Sequence, residues 1–354
     1  MFEFLQPLKK LTFPLLSSFD VYFDFGTSNT KIALKNKGIV LKEPTYLGYN
    51  NKTREYLFFG SEAKSILGKT PEFIKIIRPV PNSIIYDFDA QVALIKYFFE
   101  KSVSIYLNKY SLFRPSLRAI SSVPYSATEI ERKAVEEVLS KLGFSSVFLI
   151  EKPLANAVGA GLNVFSHHPS LLVDMGGGLI EATIISGGGI VSQKTLKNAG
   201  ENMNKIIANY IYLKQGIILG EGTCENIKIS LLNFTDEEKI ITVRGKSLET
   251  GLPKSIRIKS SEVKEALLTN FTQIIDIIKE LIEISPPEVV DEIYNQGVIL
   301  CGGLANIPGI NDFFKDEIKV NVKIARPPSD LTIGGLINIG KNLETLVKLA
   351  IPKV

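Results

Sequence analysis

The chain has 354 residues, Lys+Arg 41 against Asp+Glu 37 for a formal net charge of +4, and 45% hydrophobic residues. At ~150 residues per domain this length suggests two or three domains with a substantial core, and the balanced charge excludes a dedicated nucleic-acid binder. Gly 27 and Pro 17 are average values that exclude collagen and low complexity, and two cysteines, Cys224 and Cys301, cannot build a disulfide framework or a zinc cluster, which fits a reducing, cytosolic compartment.

Taken in chain order, Met1 to Phe19 reads MFEFLQPLKKLTFPLLSSF. Its apolar stretch, Leu11 to Leu16, is short and broken by Pro14, and no small-x-small site follows, so it is a poor signal peptide. No apolar run reaches the ~18 residues of a transmembrane helix. One reading is a membrane-surface anchor, with Phe2, Phe4, Leu5, Leu8 and Leu11 in the interface and Lys9 and Lys10 at the headgroups. The other is an apolar arm packed on its own domain.

An internal repeat follows. Val21 to Leu41 (VYFDFGTSNTKIALKNKGIVL) and Leu171 to Gln193 (LLVDMGGGLIEATIISGGGIVSQ) each read as an apolar strand, Asp-x-Gly, a tight turn, a second strand, a short turn and a third strand. Asp24 and Asp174 lie 150 residues apart, which predicts a duplicated two-domain body with a cleft between the copies. Between the copies, Thr128 to Glu131 is a capping box. Ile130, Ala134, Val135, Val138 and Leu139 mark the face of the helix it opens, and Gly143 stops it. A longer helix is predicted from about Ser260 to Ile284, with Val263, Leu267, Phe271, Ile274, Ile275, Ile278 and Leu281 as its stripe and Pro286-Pro287 as its end. The alternation predicts an α/β fold: domain I over 1–165 and 335–354 with an insertion at about 50–88, domain II over 166–334 with an insertion at about 204–287.

The two hairpin turns carry the chemistry. Gly26, Thr27, Ser28 and Asn29 offer backbone N–H groups and hydroxyls with little bulk, which suits a phosphate anion, and Gly176, Gly177 and Gly178 offer the same from the other side. An aspartate beside each loop would repel phosphate directly, so a hydrated Mg²⁺ between them is the consistent reading. A third glycine turn, Gly302-Gly303 within GVILCGGLANIPGI, can place backbone against a nucleobase, or can be a strand-to-helix turn that needs glycine for its conformation.

From about Asp20 to Ala325 the chain resembles the actin superfamily and, within it, the bacterial MreB family. The resemblance rests on DFGTSNT (Asp24 to Thr30), FGSEAKSILGKTP (Phe59 to Pro71), IRPVPNSIIYDFD (Ile77 to Asp89) and VPYSATEIERKAVEE (Val123 to Glu137). It continues through LIEKPLANAVGAGLNV (Leu149 to Val164), DMGGGLIEATIIS (Asp174 to Ser186), GEGTCENIKI (Gly220 to Ile229), GLPKSIRIKSSEVKEAL (Gly251 to Leu267), SPPEVVDEI (Ser285 to Ile293) and ILCGGLANIPGI, in the family's order. It implies an actin-like duplicated two-domain fold, of the type shared with Hsp70 and hexokinase, with a smaller subdomain inserted in each half. It also implies ATP or ADP in the cleft. Asp24 and Asp174 would hold Mg²⁺ through water, and Glu151 would position the attacking water, with Asp174 also at the catalytic centre. Glu225, Lys228, Gly302 and Gly303 would contact the nucleoside.

Four departures stand out. Leu179-Ile180 replaces the family's Thr-Thr, Lys152 replaces a glutamate after Glu151, and Leu304 replaces a glycine. Lys31, seven residues after Asp24, falls where MreB is usually apolar and eukaryotic actin has a phosphate-contacting lysine, so it would either neutralise β-phosphate charge or be a solvated strand lysine. By resemblance the protein would self-assemble head to tail and lie on the inner face of the cell membrane, with slow ATP hydrolysis and a role in cell shape beside membrane-bound wall or morphogenetic proteins. Leu112-Phe113, before Arg114, resembles the family loop that enters lipid. A nucleotide-binding scaffold with negligible turnover is the alternative that Leu179, Ile180 and Lys152 motivate. A small-molecule kinase would need sugar or acid contacts for which the sequence shows no motif, and an Hsp70-like chaperone a peptide-binding domain after the nucleotide domain.

Overall fold

The computed structural model describes residues 18–107 and 115–352. The membrane contacts expected at Phe2, Phe4, Leu5, Leu8, Leu112 and Phe113 lie outside the described residues.

In the first half, β1 (Phe19–Phe25), β2 (Asn29–Leu34) and β3 (Gly38–Pro44) form the antiparallel ribbon expected of the first repeat copy. Strand β1 reads FDVYFDF and is buried after its first residue, because both of its faces are covered. Asp20 within it is satisfied by the Arg118 fork, at 2.7 Å from Nε and 2.5 Å from the terminal nitrogen. Next, β4 (Leu47–Asn50), β5 (Glu55–Phe59), α1 (Ser61–Ser65) and β6 (Ile74–Ile77) make a small sheet of order β5-β4-β6, followed by α2 (Phe88–Ser102) and α3 (Ser104–Leu107). The chain then returns through β7 (Leu117–Val123), α4 (Glu129–Lys141), β8 (Ser146–Glu151) and α5 (Lys152–Gly159), completing a five-stranded sheet of order β3-β2-β1-β7-β8.

Helix α4 opens on the expected capping box: Thr128 Oγ1 accepts from the Glu131 N–H at 3.3 Å and Glu131 Oε2 accepts from the Thr128 N–H at 2.7 Å. Its buried face is Val135, Val138 and Leu139. Ile130 is 81% exposed, because it sits in the first turn, before the helix reaches the core.

The second half repeats the plan. It runs β9 (Ser170–Met175), β10 (Ile180–Ser186), β11 (Gly189–Leu196), α6 (Gly200–Gln215), β12 (Ile217–Ile218), α7 (Glu221–Leu231), β13 (Ile240–Ser247), β14 (Pro253–Lys259), α8 (Ser260–Glu283), α9 (Pro287–Gln296), β15 (Val298–Cys301), α10 (Ile310–Ile318) and β16 (Val322–Ile324). Its sheet has the order β11-β10-β9-β15-β16, the first sheet's order with each strand replaced by its counterpart. Both outer ribbons even carry a register shift, between Ile32 and Ala33 and between Ile184 and Ile185. The seven stripe residues of α8 are all buried, and Pro287 opens α9 rather than merely ending α8. After Gly302-Gly303 a short 3₁₀ turn intervenes, so the helix expected there starts only at Ile310.

Two last helices, α11 (Leu331–Lys341) and α12 (Leu343–Leu349), come back to the first half. Helix α11 lies on α5 so closely that a Cβ at Gly335 would overlap the Ala155 carbonyl. The Ile351 N–H donates to the Leu149 carbonyl at 2.8 Å. One apolar cluster, including Tyr22, Ile120, Leu154, Leu172, Ile185 and Leu336, draws from both halves and joins them below the cleft.

Candidate functional site

The two hairpin turns meet tip to tip. A Cβ at Gly177 would overlap the Ser28 hydroxyl, and one at Gly178 would overlap Thr27 and the Asn82 backbone, so at Gly178 only glycine permits this approach. The first turn is fixed by Thr45, whose hydroxyl donates to the Gly26 carbonyl at 2.7 Å, and by the Ser83 N–H, which donates to Thr27 Oγ1 at 2.7 Å. The second is fixed by the start of α6: the Gly200 and Glu201 N–H groups donate to the Gly176 and Gly177 carbonyls at 3.2 and 2.8 Å. Beside the tips lies a cavity of about 400 Å³. Gly26, Thr27, Ser28, Asn29, Gly176 and Gly177 line it, as do five lysines (Lys31, Lys42, Lys64, Lys152, Lys228) against three carboxylates (Asp24, Glu201, Glu225), an excess of positive charge that suits a polyanion.

The floor of the cavity is a buried charge cluster. Lys31 Nζ lies 3.1 Å from Asp24 Oδ2 and also donates to the Ser329 carbonyl. Lys152 Nζ lies 2.8 Å from Asp174 Oδ2, which also accepts from Asn156 Nδ2 at 3.0 Å. Thr332 on α11 donates to Asn156 Oδ1 at 2.6 Å, which holds that amide in place. Burial alone would raise the Asp24 carboxyl, but the Lys31 and Lys152 ammoniums together outweigh it and hold it below the usual range. Burial would likewise lower Lys152, yet Asp174, Asp24 and Glu181 raise it above the ordinary lysine value. Burial pushes Glu181 up to about 7 against the pull of Lys152.

This cluster bears on the expected magnesium ion. A hydrated Mg²⁺ between the hairpins needs carboxylate oxygens free to meet its waters. Asp24 gives one oxygen to Lys31 and the other to Ser122 at 3.4 Å. Asp174 gives one to Lys152 and Asn156, and its other oxygen abuts Gly302, whose φ is +84° and whose missing Cβ makes the room. Asp24, Lys31 and Lys152 line the cavity and Asp174 does not. Two ammoniums stand where the metal's charge belongs, and the residues present do not fit the ion.

At the other end, Ile229, Leu232, Leu304, Ile307 and Pro308 make an apolar slot, with Glu225, Lys228 and Gly303 beside it. Lys228 Nζ donates to the Gly200 carbonyl at 2.5 Å. Burial lowers its pKa to about 8, opposed by Glu225 and Glu201. The rim is bridged by ion pairs between the halves: Lys64 on α1 to Glu225 on α7 at 2.8 Å, and Arg78, just after β6, to Glu201 at 3.2 Å and to Glu221.

Of the expected site residues, Asp24, Gly26, Thr27, Ser28, Asn29, Lys31, Gly176, Gly177, Glu225, Lys228 and Gly303 line the cavity. Gly178, Asp174 and Gly302 pack directly behind its wall. Glu151 stands apart: it is half-buried at the junction of β8 and α5 and outside the lining, where burial raises its carboxyl against the Arg132 charge. Leu179 and Ile180 are 5% and 0% exposed, and Ile180 is part of the second half's apolar interior. Sequence reasoning missed Arg78, Tyr46, Asn204, Ser329 and Thr332. Arg78 stood within the quoted IRPVPN segment, but no local pattern marked the others.

Two sheets of one topology, with glycine hairpins facing across a cleft, define an actin-like two-domain protein. The family described as MreB/Mbl protein matches residues 18–348. The chain belongs to that family of actin-superfamily cytoskeletal proteins. It is 36% identical over 331 residues to the cell shape-determining protein Mbl of Bacillus subtilis (strain 168), covering 93% of this chain and 98% of that protein. Against the cell shape-determining protein MreB of Escherichia coli (strain K12) it is 35% identical over 333 residues, 92% of this chain and 94% of the relative. The crystal structure of MreB5 of Spiroplasma citri bound to ADP superposes with a TM-score of 0.87 at 30% identity, over 94% of this chain and 99% of that one.

Proposed function

We propose that this protein binds an adenine nucleotide in the cavity between its halves and assembles head to tail into filaments on the inner face of the cell membrane, in a shape-determining role. The observation that carries the nucleotide reading is the meeting of the two glycine hairpins, Ser28 on Gly177 and Thr27 on Gly178, beside a lysine-rich cavity with an apolar far end. Phosphates would lie along Ser28, Asn29 and Gly177, with Lys31 and Lys152 supplying positive charge. The base would enter the slot of Ile229, Leu232 and Ile307, and Glu225 and Lys228 would meet the ribose. The Spiroplasma citri relative has been seen with ADP and with AMPPNP, and the Bacillus and Escherichia relatives are named for cell shape. A heterologous contact that does not close gives an open polymer, the form of assembly proposed. Among the described residues no helix is long and apolar enough to cross a membrane, so membrane contact would be peripheral.

Turnover is proposed to be slow. A scaffold with negligible hydrolysis is the second reading, favoured by Glu151 lying outside the cavity lining. Electron microscopy with ATP, ADP or no nucleotide, with and without anionic liposomes, tests assembly and lipid recruitment together. Absence of filaments in every condition rules out the assembly reading. Phosphate release no faster than that of Glu151→Ala under polymerising conditions selects the scaffold.

A further inference from the structure

We infer that the Lys152 ammonium is a built-in counter-cation for the nucleotide phosphates, and that this protein binds its nucleotide without a divalent metal. The inference rests on the nucleotide reading above and deepens it. Lys152 is the first residue of α5 and points into the space between the two halves, where it faces Asp174 at 2.8 Å and interacts with the charges of Asp24 and Glu181. It is a fixed group: its side chain is only 14% exposed. Asn156, itself anchored by Thr332, holds the Asp174 carboxylate it pairs with.

Geometry separates this from an ordinary internal ion pair. Lys152 reaches the cavity and the aspartate it neutralises does not, so the face offered to a ligand at this point is an ammonium. Lys31 also lines the cavity, beside Asp24, which lines it too and which Lys31 neutralises at 3.1 Å. A divalent ion placed there would meet two positive charges, and three of the four carboxylate oxygens already accept from Lys31, Ser122, Lys152 and Asn156, while the fourth, Asp174 Oδ1, is turned against Gly302. A polyphosphate meets the opposite situation: two preorganised cations and no exposed second carboxylate.

Calorimetric titration of the full chain with ADP and with ATP, in magnesium and again in EDTA, tests the inference. Dissociation constants in EDTA within about threefold of those in magnesium, or tighter, are expected. Lys152→Met should weaken binding in EDTA by about tenfold or more, with magnesium restoring part of the loss. Binding by the unaltered protein that weakens more than about tenfold on chelation overturns the inference and leaves the nucleotide reading intact, whether or not the variant folds. No binding in either buffer overturns both.

Discussion

Lys31 and Glu181 occupy the same place in the two copies of one hairpin: Lys31 stands opposite Asp24 in the β1–β2 ladder, and Glu181 opposite Asp174 in the β9–β10 ladder. The first copy therefore carries its cation within the hairpin, and the second takes one from Lys152. Glu181→Lys would make the copies alike but would set a second buried ammonium near Lys152. It should destabilise by about 3 kcal/mol or more in urea unfolding, and adding Lys152→Met should recover at least half of the loss. Additive losses in the double variant would show that the two positions do not communicate.

Lys31 is also the lysine expected at the β-phosphate. It is buried, lines the cavity and pairs with Asp24. Lys31→Ala should weaken nucleotide binding by about tenfold, read by fluorescence titration, beyond the destabilisation that follows from leaving Asp24 with fewer partners. An unchanged affinity in the folded variant would reduce Lys31 to a structural partner of Asp24.

The ion pairs over the rim predict a kinetic effect. Arg78, just after β6, and Lys64 on α1 come from the first half, and Glu201, Glu221 and Glu225 from helices of the second. Partly exposed pairs of this kind contribute about 1 kcal/mol. Arg78→Ala should therefore speed nucleotide release by about fivefold, measured by displacing a fluorescent analogue, and added salt should shift the unaltered protein the same way. Release that is indifferent to both changes would mean that the rim does not hold the cleft shut.

Lys228 predicts a pH dependence whose sign is unusual for lysine. Its folded pKa, about 8, lies below the ordinary value of 10.5, so between these two pH values the unfolded chain holds a proton that the folded one has lost. This group's contribution to stability thus rises as pH climbs from about 8 toward 10.5 and is at its least below 8. The difference in melting temperature between the protein and Lys228→Met should grow in favour of the protein across that range. A constant difference would show that Lys228 is as well solvated folded as unfolded.

What the sequence made visible was mostly local or repeated. The Asp-x-Gly hairpins, the Thr128–Glu131 capping box and the α8 stripe depend on neighbours a few residues apart or on their own recurrence, and the structure has all three. Ile130 was misplaced because helical spacing fixes an angle around the axis, not the point at which the axis meets the core. Lys152 was legible as a change of charge, but its contact with Asp174 comes from packing α5 across two strands. Leu179 and Ile180 drew notice as lost hydroxyls; both are buried, and the second half uses Ile180 for apolar packing. Arg78 and Thr332 reach the cavity region only through long-range packing that no spacing rule encodes.

The seating of α11 on α5, with Ile351 bonded to Leu149, bears on how the chain is made. A ribosome finishes β8 and α5 long before it reaches residue 331, so the emerging polypeptide must keep that edge and that helix face uncovered while the whole second half is synthesised. Nascent chains stalled shortly before Leu331 should bind holdase chaperones through the part translated first, and the same chain carried to its end and released from the ribosome should let go.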